Sequence, residues 1–160
     1  MNSSPMPQGE DPRPPEELVA LRLRLWLRML RCTTRVENTL RQRLRERFNL
    51  TLPQFDLLAA LYRTDQRMTM SELSSYLLVS NGNVTGLVKR LEQFGWVASE
   101  RLPEDRRTQQ VWLTGEGKQQ FERFASEHHQ WVAELLAGAE GHEEQLTERL
   151  QQVRDGLPET

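Results

Sequence analysis

The 160-residue chain has one cysteine, only two lysines and no long apolar run. A single cysteine, Cys32, excludes an intrachain disulfide and a thiolate metal cluster, and its place in an apolar row predicts a small buried residue. A membrane span needs about 18 consecutive apolar residues, which the sequence does not contain. Prolines and acidic residues stand at the N-terminus where a secretory signal needs a basic and an apolar stretch, so we expect a cytoplasmic protein.

Sequence signatures of catalysis and cofactor binding are also missing. We find no glycine-rich phosphate loop, no nucleophile motif and no metal-ligand spacing. His128 and His129 are adjacent, so on a helix they point about 100° apart and do not chelate one ion. We therefore expect that the chain is not an enzyme and that it binds no metal and no cofactor.

Charge is unevenly distributed, although the net charge is only −2. Residues 22–47 contain nine arginines and two acids, whereas residues 121–155 contain eight acids and three arginines. A local basic surface is what attracts nucleic acid, so the small net charge does not exclude it as a partner.

Apolar periodicity predicts a mainly helical protein. A first helix over 16–48 carries two apolar faces, and its length of about 50 Å is too great for one small core. A second apolar face is typical of a helix that also packs on a partner subunit. Further helices are predicted at 53–63, 71–78, 81–94, 114–139 and 142–154, with strands at 96–101 and 109–113.

The segment 68–94 is the most informative, because it predicts two short helices joined by a tight turn. In a helix-turn-helix the second helix enters the major groove, which requires a small polar front and an apolar stripe turned inward. Asparagine pairs with adenine, serine and threonine contact bases or phosphates, and helix-weakening glycines at 82 and 86 suggest a close approach. The predicted contact residues are Ser80, Asn81, Asn83, Thr85, Lys89 and Arg90. The alternative is an ordinary amphipathic helix with a solvated face.

The predicted hairpin that follows carries Arg101, Arg106 and Arg107 around its loop. A two-stranded ribbon can place arginine in a minor groove, where the negative potential is strongest in narrow A·T tracts. We expect Asp105 to hold Arg107 or Arg101 by a charge-assisted bond and so to orient the loop. The alternative is a solvated charged loop.

Three segments, LTLPQFDLLAAL, VTGLVKRLEQFGWV and EDRRTQQVWLT, followed by a long helix, resemble the MarR family (multiple antibiotic resistance type regulators) over about residues 18–153. The resemblance implies a mainly α fold with a small β-hairpin wing, that is, a winged helix-turn-helix plus long dimerisation helices. It implies an obligate homodimer that binds a palindromic operator in double-stranded DNA and commonly acts as a repressor. By position, Thr69 and Ser71 would meet phosphate, and Arg106 would be the wing-tip arginine, supported by Asp105 and Arg107.

Together these features predict one intertwined domain with three parts. Residues 1–15 carry five prolines and are expected to form a flexible arm. Residues 16–48 and 114–155 form the helical dimerisation region, and residues 49–113 form the DNA-binding lobe.

The resemblance also implies a ligand cleft beneath the first helix, beside the second and fifth helices. The front SNGNVTGL is similar to that of family members that regulate aromatic-acid catabolism, so the expected effector is an aromatic carboxylate or its coenzyme A thioester. An arginine beside aromatic rings can fix a carboxylate, although such residues can equally be core and solvated charge. The candidate lining residues are Trp26, Leu30, Arg31, Arg35, Phe55, Leu58, Tyr62 and Trp112.

Two other functions remain open on sequence grounds. One is a winged-helix regulator that responds to another signal, such as a different small molecule or oxidation at Cys32. The other is a protein-interaction module that does not bind DNA, for which any DNA binding should be weak and insensitive to salt.

Overall fold

The computed structural model describes residues 13–103, 105 and 107–158. The elements in chain order are α1 Pro15–Phe48, α2 Leu52–Thr64, β1 Met68–Thr69, α3 Met70–Leu77, α4 Asn81–Gln93, β2 Val97–Arg101, β3 Gln109–Leu113, α5 Gly115–Leu135, a short 3-10 helix Ala137–Ala139 and α6 Glu143–Asp155. The predicted mainly helical class with a small hairpin is confirmed. Most of the predicted arm, residues 1–12, lies outside the described residues.

Contacts along the chain divide it into two units, Met1–Glu37 and Asn38–Thr160. In the first unit the described residues include the first part of α1. Most of its large apolar side chains are exposed: Val19, Leu23, Leu25, Trp26, Leu27 and Leu30. Cys32 is exposed as well, which corrects its expected burial. The row to which it belongs becomes buried only at Leu40 and Leu44, two to three turns further along α1.

The second unit contains the hydrophobic core. Side chains from the end of α1, from α2 to α5 and from the sheet meet there, each at most 2% exposed: Leu44, Leu57, Leu58, Leu61, Leu73, Val84, Val88, Leu91, Val111 and Phe124. Full burial of one such side chain stabilises the fold by about 1.5–3 kcal/mol. The shared core therefore fixes α3, α4 and the sheet as one body.

The sheet has three antiparallel strands in the order β1-β3-β2. β2 and β3 form a hairpin in which Val97 lies opposite Leu113 and Arg101 lies opposite Gln109. β1 adds Met68 opposite Val111. The sequence did not predict β1, because two residues are too few to show the alternation that identifies a strand.

Side-chain caps define where the short helices begin. Thr51 and Thr69 each form a capping box, so α2 and α3 begin one residue earlier than predicted. Thr114 caps α5 and also donates its hydroxyl to the Gly95 carbonyl at 2.7 Å. A Cβ on Gly117, in the first turn of α5, would lie 1.9 Å from the Trp96 carbonyl oxygen, so α5 starts in direct contact with the chain that leads into β2.

α6 has no buried residue, although its sequence is amphipathic. Leu146, Leu150 and Val153 share one face and are 48, 48 and 42% exposed. Within the described part of the chain, no helix combines the length and the apolar character needed to cross a membrane.

Candidate nucleic-acid interface

The turn between α3 and α4 is held by two bonds between Ser74 and Val79. The Val79 amide donates to the Ser74 carbonyl at 3.2 Å, and the Ser74 hydroxyl donates to the Val79 carbonyl at 2.5 Å. Leu78 ends α3 in the left-handed conformation, with φ 54°. Ser80 then caps α4 by accepting a bond from the Asn83 amide. These contacts set the relative direction of the two helices.

α4 turns Val84, Val88 and Leu91 into the core and its polar front outward. All the predicted contact residues of this front are exposed: Ser80, Asn81, Asn83, Thr85, Lys89 and Arg90. A Cβ on Gly82 or Gly86 would meet no heavy atom within 4 Å. The front is therefore a shallow, open surface that another molecule can approach closely.

Besides Ser80, three of the predicted contact side chains already have partners within the protein. The Thr85 hydroxyl donates to the Asn81 carbonyl at 3.0 Å. The guanidinium of Arg90 lies 5.1 Å from the centre of the Phe94 ring and donates to Gln93 at 3.2 Å. The Thr69 hydroxyl donates to the Glu72 carboxylate at 2.9 Å, and the bonds from the Thr69 amide and hydroxyl lower the pKa of Glu72. Ser71 is exposed in the first turn of α3.

The loop that joins β2 and β3 is organised around Asp105. The Asp105 carboxylate accepts bonds from the Thr108 hydroxyl at 2.6 Å and the Arg107 main-chain amide at 3.0 Å, and both bonds lower its pKa. Among the described residues, Asp105 therefore orients the loop through the main-chain amide of Arg107 and not through the predicted guanidinium of Arg101 or Arg107. Arg101 and Arg107 are exposed, whereas the predicted wing-tip residue Arg106 lies outside the described residues.

Sequence reasoning missed a hydrogen-bonded group between α4 and the hairpin. The Ser99 hydroxyl of β2 donates to the Glu92 carboxylate of α4 and accepts a bond from the Gln109 amide of β3. The contact between the two strands could have been found from the pairing register of the hairpin, because that register makes Ser99 and Gln109 diagonal neighbours.

The predicted ligand residues do not form one group. Phe55 and Tyr62 line an open groove of about 1010 Å³ between α2 and α5, whereas Trp112 lines a separate cavity of about 210 Å³. Leu58 is fully buried in the core, which corrects its assignment as a lining residue, since a side chain packed on all sides presents no surface to a ligand. The remaining candidates are exposed on the first part of α1: Trp26, Leu30, Arg31 and Arg35.

Aromatic and titratable side chains face the groove between α2 and α5. The His128 ring stacks on Phe55 with 4.4 Å between centroids, and the Tyr62 hydroxyl donates to the Glu122 carboxylate at 2.9 Å. Burial lowers the pKa of His128, and the neighbouring His129 lowers it further. Arg63 also lines the groove and donates to the Tyr76 hydroxyl at 2.7 Å.

Two helices joined by a tight turn, followed by a hairpin with exposed arginines, form a winged helix-turn-helix, a class of DNA-binding domain. The sequence pattern of the MarR family matches residues 50–108. An uncharacterized HTH-type transcriptional regulator from Bacillus cereus is 31% identical over 121 residues, which cover 76% of this chain and 79% of that protein. The chain belongs to the MarR family.

Solved structures of family members agree with this assignment. Sco3205, a MarR family transcriptional regulator from Streptomyces coelicolor crystallised in complex with DNA, is 27% identical with a TM-score of 0.73, over 92% of this chain and 95% of that one. A MarR family transcriptional regulator from Silicibacter pomeroyi is 29% identical with a TM-score of 0.72, over 91% and 100% of the two chains. The protein is a DNA-binding transcription regulator and not an enzyme.

Proposed function

We propose that the protein is a homodimeric repressor that binds a palindromic operator, with α4 of each subunit in the major groove and each hairpin in the adjacent minor groove. The observation that carries this proposal is the exposed polar front of α4 beside an arginine-bearing hairpin, both fixed on one core. Such a regulator acts on chromosomal DNA, so we expect it in the cytoplasm.

The proposal assigns different roles to the exposed side chains. Asn81 and Asn83 stand at the start of α4, where side chains of a recognition helix meet base edges, and an amide can pair with adenine. Lys89, Arg101 and Arg107 bear positive charge and are assigned to phosphates or to the minor groove. The remaining proposed contacts with DNA are Thr69, Ser71, Ser80, Thr85, Arg90 and Arg106.

A first experiment tests the DNA surface with the full-length protein. Duplexes that bind are selected from a random pool, and the affinity of one of them is measured over a range of salt concentrations. Binding should weaken steeply with salt, and Arg106→Ala should reduce the slope by about one. Asn83→Ala should relax the preference at one base pair, at a cost of about 1–3 kcal/mol. Parental binding by both variants would refute the assigned surface.

The homodimer is supported by apolar faces that the described chain leaves exposed. Leu146, Leu150 and Val153 on α6 form one such face, and the exposed apolar side chains of α1 before residue 37 form another. A second copy of the same chain is the partner with matching surfaces, because each copy presents both of these apolar faces.

Oligomeric state provides a direct test of this interface. Leu150→Glu places a charge on the apolar face of α6 and should shift the protein from dimer to monomer in sedimentation velocity at micromolar concentration. Gln152→Glu adds the same charge about 200° further around the helix and should leave the dimer intact. If the parent protein is a monomer, or if the two variants behave alike, the proposed interface is wrong.

We assign the effector, an aromatic carboxylate or its coenzyme A thioester, to the groove between α2 and α5. Phe55, Tyr62 and Phe121 provide ring contacts, and Arg63 is the cation in the groove that a carboxylate would meet. Benzoate and cinnamate are titrated while release of the selected duplex is followed. Release should require millimolar ligand or less, and it should weaken in Arg63→Gln. Unchanged affinity at saturating ligand would refute an aromatic acid effector.

A further inference from the structure

We propose that Glu92, Ser99 and Gln109 form a hydrogen-bonded relay that positions the wing relative to the recognition helix. The recognition helix is α4, and the wing is the hairpin of β2, β3 and their loop. The inference rests on the proposed function, in which both elements contact the same duplex. The three are positioning residues, since they act on DNA through the elements they join.

The relay is continuous from one strand to the helix. Gln109 Nε2 donates to Ser99 Oγ at 2.6 Å, and Ser99 Oγ donates to Glu92 Oε1 at 2.5 Å. All three residues are half-buried. A hydrogen bond to a carboxylate is about twice as strong as one to a neutral acceptor, so the bond from Ser99 to Glu92 holds β2 to α4 well.

The positions of the three residues explain what the relay controls. Glu92 lies in the last turn of α4, Ser99 is the middle residue of β2, and Gln109 is the first residue of β3, opposite Arg101. The relay therefore joins the recognition helix to both strands at the base of the wing loop. The loop is closed immediately beyond it, where the Leu102 amide donates to the Thr108 carbonyl at 3.0 Å.

The wing needs such a connection because its outer half leaves the core. Val97 is buried, whereas Glu100 and Arg101 at the other end of β2 are exposed. A two-stranded hairpin on its own is only marginally stable, so its outer end can change its angle to α4. Fixing that angle before DNA is bound reduces the ordering cost of binding.

A merely stabilising role makes a different prediction from a positioning role. If the relay only stabilises the fold, its loss lowers the melting temperature and leaves the effect of each DNA-contact mutation unchanged. If it positions the wing, its loss selectively reduces the importance of wing contacts and leaves contacts from α4 intact. A double-mutant cycle separates these outcomes.

The experiment uses the full-length protein and a duplex selected from a random pool. Arg107→Ala, on the wing, and Asn83→Ala, on α4, are each measured in the parent and in Ser99→Ala. We expect Arg107→Ala to weaken binding about tenfold in the parent and less than threefold in Ser99→Ala. Asn83→Ala should have equal effects in both. Ser99→Thr keeps the hydroxyl and should restore the full effect of Arg107→Ala.

A second variant guards against a folding defect in Ser99→Ala. Glu92→Gln keeps the shape of the side chain and removes its charge. In this variant Arg107→Ala should weaken binding by a factor between those expected in Ser99→Ala and in the parent. An undiminished tenfold effect of Arg107→Ala in both relay variants would overturn the inference and leave the DNA surface intact. No effect of either Arg107→Ala or Asn83→Ala in the parent would instead refute the DNA surface, and the inference with it.

Discussion

Replacing Gly86 with alanine adds one methyl group to the recognition helix, and this change tests both the stability of the helix and its contact with DNA. Gly86 lies in the interior of α4, is exposed, and has no heavy atom within 4 Å of the position that a Cβ would take. The free protein therefore has room for alanine there. Glycine in a helix interior is about 0.8–1.0 kcal/mol less favourable than alanine.

Gly86→Ala should thus stabilise the free protein by about 1 kcal/mol, which corresponds to a rise of about 2–4 °C in melting temperature for a chain of this size. The opposite effect is expected on DNA binding. If the groove wall approaches the helix at this position, an added methyl group costs about 1–3 kcal/mol of strain, which weakens affinity by about 5- to 160-fold.

The assay combines thermal unfolding at fixed protein concentration with affinity for a selected duplex. Gly115→Ala is the matched control, because Gly115 also has an open helical position but lies in α5, outside the proposed surface. The control should keep parental affinity. Two results would refute the reasoning: a lower melting temperature of Gly86→Ala, or a higher one with unchanged DNA affinity.

Three further predictions concern other parts of the second unit. Gly117→Ala should strongly destabilise the protein in urea titration, because its Cβ would lie 1.9 Å from the Trp96 carbonyl oxygen; parental stability would contradict this contact. Leu78→Gly should raise the urea midpoint. Leu78 is 91% exposed, so little packing is lost, and relief of its left-handed conformation gains about 1–2 kcal/mol, more than the entropic cost of glycine. A lower midpoint would disprove this. His128 has a lowered pKa in the folded state, so stability should fall as pH drops below about 6.5, and the dependence should weaken in His128→Phe. An equal pH dependence in the variant would assign the effect to other groups.

The sequence was sufficient for the helix-turn-helix and the hairpin. Polar caps and inward stripes are local patterns, so Ser80 as the cap of α4 and Gly95 as a left-handed residue, with φ 74°, could be placed within a residue or two. The fold class followed from these elements. The short strand β1 did not, because it exists only through its pairing with β3.

The candidate site was less predictable wherever side chains have several possible partners. Asp105 was expected to bind an arginine side chain, but a short carboxylate in a tight loop reaches the main-chain amide of Arg107 more easily. Leu58 and Phe55 carry the same sequence signal, yet one is enclosed by the core and the other borders the groove. Periodicity identifies the inward face of a helix, but it does not tell where that face ends.

The close contact between Gly117 and Trp96 has a consequence for signal transmission. α5 borders the groove from Phe121 to Val132, and its first turn touches Trp96, the residue before β2, with no space between the two backbones. Because no side chain fits between them, a displacement of α5 toward Trp96 would press on the residue that precedes β2. In the homodimer and effector site proposed above, a molecule that enters the groove and moves α5 would therefore change the spacing between the two arginine-bearing hairpins.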